Sequence, residues 1–119
     1  TCFYRDRMAS GIKGSLKPAG GAPDLTNTYK LFGATATTTV ILSACNQAAT
    51  PDTIRIAVVD SATSATSGAI DAKHYVEYDY SLSGNSAMER TGITLENTAR
   101  IMVGSGAGNV SFSAYGIET

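Results

Sequence analysis

The chain has 119 residues and a mass of 12.3 kDa, enough for one domain with a single core. Hydrophobic residues make up 43% and charged residues only 16%, against roughly 25% charged in ordinary soluble domains, so Thr, Ser, Asn and Gly or neighbouring molecules must cover much of the surface. The formal net charge of −1 excludes the clustered positive surface that nucleic-acid binding requires, and no apolar run approaches the ~20 residues of a helical membrane span.

The first 24 residues differ from the rest. They hold Pro18 and Pro23, frequent glycine and the basic residues Arg5, Arg7, Lys13 and Lys17. No helical or strand period persists through them, and Pro18, Gly20, Gly21 and Pro23 interrupt any regular element. Phe3, Tyr4, Met8, Ile12 and Leu16 nevertheless carry more apolar surface than a flexible linker does. The segment 1–24 reads as an extended N-terminal arm that orders against a neighbouring surface. Within it Phe3, Tyr4, Arg5, Arg7 and Met8 are the candidate assembly residues, since aromatics and arginine dominate interface hot spots. No basic stretch followed by an apolar leader opens the chain. A start at Thr1 implies loss of an initiator methionine or processing. In a reducing cytosol Cys2 and Cys45 are expected to be free thiols.

Residues 25–119 read as the folded domain. Strand-like runs are predicted at 29–32, 38–45, 53–60, 73–82, 88–94, 98–103 and 110–117, with turn-rich loops at 46–52 and 61–72. In 38–45 the alternation puts Val40, Leu42 and Ala44 on one face, and in 53–60 it puts Ile54, Ile56 and Val58 inward with Arg55 outward. The glycine-rich turn 104–109 joins the last two runs as a hairpin. No helix is predicted. About seven short strands point to an all-β, single antiparallel β-sandwich, immunoglobulin-like or jelly-roll-like, with an extended N-terminal arm. Its predicted core is Val40, Leu42, Ile54, Ile56, Val58, Ile101, Val103 and Phe112.

The chemistry-bearing residues are few. His74 is the single histidine and lacks the partners that a triad or metal site needs; it reads as a strand residue in phase with Val76, Tyr78 and Tyr80. Glu77 and Asp79, two apart on one predicted strand, project from one face about 7 Å apart. That spacing suits a glycosidase-like acid/base pair, but a solvated strand face is the plainer reading. The turn 104–109 lacks the lysine and the following helix of a phosphate loop. Tyr75, Tyr78, Tyr80 and Tyr115 are candidates for a ligand-stacking platform, or for ordinary sheet and interface positions. No catalytic, cofactor-binding or metal-ligating residue emerges.

The runs 73–79 (KHYVEYD), 39–46 (TVILSACN), 54–58 (IRIAV), 92–95 (GITL) and 109–118 (NVSFSAYGIE) together resemble small β-sandwich virion structural proteins of tailed bacteriophages, of the cyanobacterial and marine phage type. The resemblance implies a non-enzymatic, multi-copy component of the tail, baseplate, neck or capsid surface, a capsid decoration protein included. It implies other virion proteins and copies of itself as partners, no cofactor, and a virion location after synthesis in the bacterial cytoplasm; the arm is not a shared feature of that family, and assembly through the arm and sandwich edges is the expectation from the residues themselves. The alternative is a host-surface carbohydrate-binding adhesin that uses the tyrosines and polar loops to hold a host glycan. A small hydrolase built on Glu77 and Asp79 ranks third.

Overall fold

The computed structural model describes residues 10–60 and 70–118. It contains eight strands: β1 (Ser10–Leu16), β2 (Lys30–Gly33), β3 (Thr38–Asn46), β4 (Asp52–Val59), β5 (Tyr75–Leu82), β6 (Ala87–Leu95), β7 (Arg100–Ser105) and β8 (Val110–Glu118). The helical pieces among the described residues are two three-residue 3-10 turns, Asn27–Tyr29 and Ala72–His74. The described residues form an antiparallel β-sandwich, with eight strands where the sequence suggested about seven.

One sheet has the order β1-β8-β3-β6 and the other β2-β7-β4-β5. Along the chain β1 pairs with β8, β2 with β7, β3 with β6 and β4 with β5. This is one long antiparallel hairpin, folded at the β4–β5 connection and rolled up. Lateral pairing of β3 with β8 and of β4 with β7 seals the roll into two sheets. That winding is the jelly roll, so the topology separates the two layouts that alternation alone left open. It also corrects the expected final hairpin. β7 and β8 lie in opposite sheets, and the glycine-rich turn between them crosses from one layer to the other.

Alternation builds the core. On β3 the side chains of Thr38, Val40, Leu42, Ala44 and Asn46 are buried while Thr39, Ile41 and Cys45 are exposed. These inward residues meet Ile54, Ile56, Ile101, Val103, Val110 and Phe112 between the sheets. Each such side chain, fully buried, contributes ~1.5–3 kcal/mol. Of the predicted core only Val58 is not fully buried; it is half-buried at the rim and packs against the main cluster.

Strand β4 is covered on both faces. Its register with β7 is regular, so Ile54, Ile56 and Val58 point between the sheets and Ala57 and Val59 point outward. The outward pair is capped, together with Met102, by Leu25, Tyr29, Ile70 and Tyr75. The chain on either side of the two 3-10 turns thus forms a small second core over the outer face of this sheet.

Strand β1 lies within the segment read as an arm without regular structure. It pairs along β8 from Ser10 opposite Ile117 to Leu16 opposite Phe112, so part of 1–24 belongs to the sandwich. The register shifts between Ile12 and Gly14, which leaves Lys13 as an extra, bulged residue. Ile12 therefore shares the outward phase of Tyr115, and Leu16 shares the inward phase of Phe112. On a regular strand two residues four apart would share a face. The bulge erases the period by which the strand could have been recognised. Gly14 is needed here because a Cβ would run into the main-chain carbonyl of Leu31 on β2.

Two buried polar side chains lock the loops. The Asn46 amide donates to the carbonyls of Thr50, Leu82 and Ser83 at 2.9, 3.1 and 3.3 Å, and its oxygen accepts from the Ala48 N–H at 3.0 Å. It fastens the β3–β4 loop to the β5–β6 turn. The Asp52 carboxylate accepts from the N–H groups of Thr53, Ala107 and Asn109 at 2.8, 3.0 and 3.3 Å. It fixes the glycine-rich crossing turn.

Candidate functional site

The candidate arm residues Phe3, Tyr4, Arg5, Arg7 and Met8 lie outside the described residues, as does Cys2. Cys45 is exposed on β3 with no disulfide partner among the described residues. His74 is not in the strand but closes the 3-10 turn before β5. It lines an open groove of about 270 Å³ with Val58, Asp60, Leu95 and Glu96. Among the described residues no three His, Cys, Asp or Glu side chains cluster as a metal site.

Strand β5 carries two register irregularities against β4. Ile54 faces Tyr80, Ile56 faces Glu77 and Ala57 faces Tyr75. Tyr78 and Asp79 together therefore oppose Arg55, and Val76 is a second extra residue. Asp79 takes a left-handed backbone, φ 52°, which Asp tolerates better than most residues. The bulges separate the two carboxylates that simple alternation placed on one face. Glu77 takes the inward phase of Ile56 and meets Arg90 of β6, in the facing sheet, at 2.5 Å. That ion pair closes one open edge of the sandwich. Asp79 turns to the outer face and meets Arg55 of β4, Nε to Oδ1 at 2.7 Å and Nη2 to Oδ2 at 3.4 Å. Each carboxylate is engaged by its own arginine on its own side of the sheet, so the acid/base arrangement does not form.

The same bulges assemble a cluster on the outer face. The rings of Tyr75 and Tyr78, three residues apart, meet edge to face with centroids 5.0 Å apart. The Arg55 guanidinium carbon lies 4.1 Å from the Tyr78 centroid and 5.8 Å from that of Tyr75, a cation–π contact. The hydrogen bond from Arg55 holds the Asp79 carboxyl below the usual carboxylate range. The same bond holds the guanidinium still more firmly protonated. Beside this pair is a pocket of about 130 Å³, walled by Arg55, Asp79 and Thr53 and by the backbone of Gly21, Gly104 and Gly106. The four tyrosines that were candidates for a platform do not form one surface. Tyr75 and Tyr78 belong to this cluster, Tyr80 takes the inward phase of Ile54 at the sandwich edge, and Tyr115 lies on the other sheet.

The outer face of that other sheet carries a second feature. Ile12 of β1 lies directly opposite Tyr115 of β8, which lies opposite Ile41 of β3. Ile117 follows two residues on along β8. Their side chains are 72%, 42%, 42% and 44% exposed, a continuous apolar row across three strands. The sequence signal for it was the run of β-branched and aromatic residues on the non-core phase of β3 and β8. Without the strand pairing, nothing in the sequence joined Ile12 to them.

Searches against protein-family models, curated proteins and solved structures returned no match.

Proposed function

We propose that the chain is a non-enzymatic assembly module, a multi-copy structural component of a tailed-phage particle of the kind its sequence resembles. The observation that carries the assembly reading is the apolar row Ile12–Tyr115–Ile41 with Ile117, exposed on an otherwise Thr- and Ser-rich sheet face. Contiguous exposed apolar surface of this kind marks interaction sites. The nine residues that precede β1 join it at Ser10, opposite Ile117 and so at the rim of the row. They contribute Phe3, Tyr4 and Met8, with Arg5 and Arg7 to set register. In this reading the arm of one copy lies on the apolar row of a neighbour, and the array multiplies many weak contacts into stable attachment. The low charge of the chain agrees with a surface largely covered in the assembly. A jelly roll suits such packing, as it does in viral capsid domains, although the fold alone assigns no function. Quantitative mass spectrometry of purified particles tests the proposal. A fixed copy number that matches a symmetric location supports it, and absence from purified particles overturns it.

A further inference from the structure

The pocket beside Arg55 and Asp79 is independent of the apolar row and lies on the opposite sheet. Its chemistry is specific in three respects. First, it is electrically balanced, because the guanidinium is already paired with a carboxylate through two hydrogen bonds, at 2.7 and 3.4 Å. An anion entering it would face Asp79, and a cation would face Arg55, so neither sign is favoured. Second, the pair sets the remaining guanidinium N–H groups next to a carboxylate whose side chain is 51% exposed, with the Thr53 hydroxyl close by. Neighbouring hydroxyl groups, each both donor and acceptor, satisfy such a surface in pairs. Third, the Tyr78 ring, outside the pocket wall, packs on the same guanidinium, 4.1 Å from its carbon to the ring centroid, and so holds that donor in place beside the pocket. Gly104 and Gly106 line the pocket with backbone alone, and neither position has room for a side chain. A side chain at 104 would collide with Pro23, and one at 106 with the Thr53 hydroxyl.

The site is also built in advance. Asp79 reaches Arg55 only because the β5 bulge puts it in a left-handed conformation that non-glycine residues seldom adopt. Local strain of this sort persists where the surroundings over-determine it, and such places cluster at binding sites. With about 130 Å³, well under the ~300–1,000 Å³ of drug-sized sites, the pocket has room for one small ring.

We propose that this pocket binds a neutral carbohydrate, a single pyranose or the terminal residue of an uncharged glycan, with Arg55, Asp79 and Thr53 bonding its hydroxyls and Tyr78 holding the guanidinium in position. This goes beyond the assembly reading and does not depend on it. The test is amide NMR of the isotope-labelled chain, titrated to millimolar concentration with glucose, galactose, mannose and N-acetylglucosamine, and with glucuronate and inorganic phosphate as charged counterparts. At least one neutral sugar should shift the amides of Thr53, Asp79, Gly104 and Gly106 saturably, and the charged probes should not. Asp79→Asn tolerates the left-handed backbone and keeps the shape, and Tyr78→Ala removes only an exposed ring. Each should weaken binding about tenfold or more, Asp79→Asn by losing a charge-assisted bond and Tyr78→Ala by releasing the guanidinium it positions, with an unchanged thermal midpoint. Tyr115→Ala should bind as the parent does. Shifts confined to the Tyr115 face, preference for glucuronate or phosphate, full affinity in Asp79→Asn, or no response to any neutral sugar would overturn the proposal. Ile41→Asp, which disrupts the apolar row, should leave sugar binding intact, so failure of one reading is distinguishable from failure of the other.

Discussion

Asn46 does more for this fold than its place at the end of an apolar run suggests. It is 1% exposed, and its amide binds three carbonyls from two different loops. Truncation to alanine strands buried acceptors, so Asn46→Ala should cost about 1–3 kcal/mol, measurable by urea denaturation. Asn46→Asp replaces donors with a buried charge that faces carbonyl oxygens, and should cost more. The Arg55–Asp79 pair makes a different prediction because it is exposed. The folded pKa of Asp79 is depressed by the hydrogen bond from Arg55. The pair is therefore complete above the ordinary aspartate value of ~3.9 and is lost as pH falls through the lower folded value. A carboxyl-detected NMR titration should find the Asp79 midpoint below ~3.9, and Arg55→Gln should return it toward that value. Affinity for a neutral sugar should stay level from neutral pH down to about pH 4 and decline below it. The effect on global stability should be negligible at this solvent-screened site.

Strands β1, β4 and β5 show how bulges decide what an element does. In β4 the alternation is regular against β7, and Ile56 is fully buried between the sheets while Val58 is half-buried. Ile56→Ala should cost about 2–5 kcal/mol, the range for large-to-small core changes, and Val58→Ala clearly less. Equal costs would show the strand to be tilted differently in the sandwich. In β5 the two bulges redirect Glu77 toward Arg90 and Asp79 toward Arg55, so neighbouring acids serve opposite faces. Glu77→Gln should cost no more than about 1 kcal/mol, because its arginine partner remains partly solvated. In β1 one bulge sends Ile12 to the outer surface and Leu16 to the core, which ties the edge strand to both the fold and the apolar row.

For the molecule as a whole, rolling a single long hairpin leaves two outer faces with different fates. The face of the β2-β7-β4-β5 sheet is capped in part by Leu25, Tyr29, Ile70 and Tyr75, and beyond this cap lies the Arg55 pocket. The face of the β1-β8-β3-β6 sheet keeps four large apolar side chains exposed. Ile41→Asp adds a charge at an already exposed position, so stability should change by no more than about 0.5 kcal/mol. Self-association in sedimentation, or incorporation into particles, should fall sharply. A shortened chain starting at Ser10 should remain folded, since all eight strands are kept, and should show the same loss of association. A chain starting at Leu25 lacks β1 and should be destabilised, exposing the edge of β8 and uncovering Phe112.

The sandwich class, seven of the strands and nearly all of the core were legible in the residues, because period-two alternation directly expresses which face meets water and which is buried. Val40, Leu42, Ile54, Ile56, Ile101, Val103 and Phe112 were placed inside on that ground, and all are at most 1% exposed. The remaining features were not legible, for two reasons. A bulge adds a residue without altering local composition, so sequence spacing no longer reports which face a side chain takes. Strand β1 was hidden by the extra residue at Lys13, and the Arg55–Asp79–Tyr78 cluster by the bulges of β5. Which strands pair is also non-local. The crossing of the 104–109 turn between sheets, and the meeting of Ile12, Tyr115 and Ile41, follow from how the hairpin rolls up, and residues a hundred positions apart become neighbours only after it has done so.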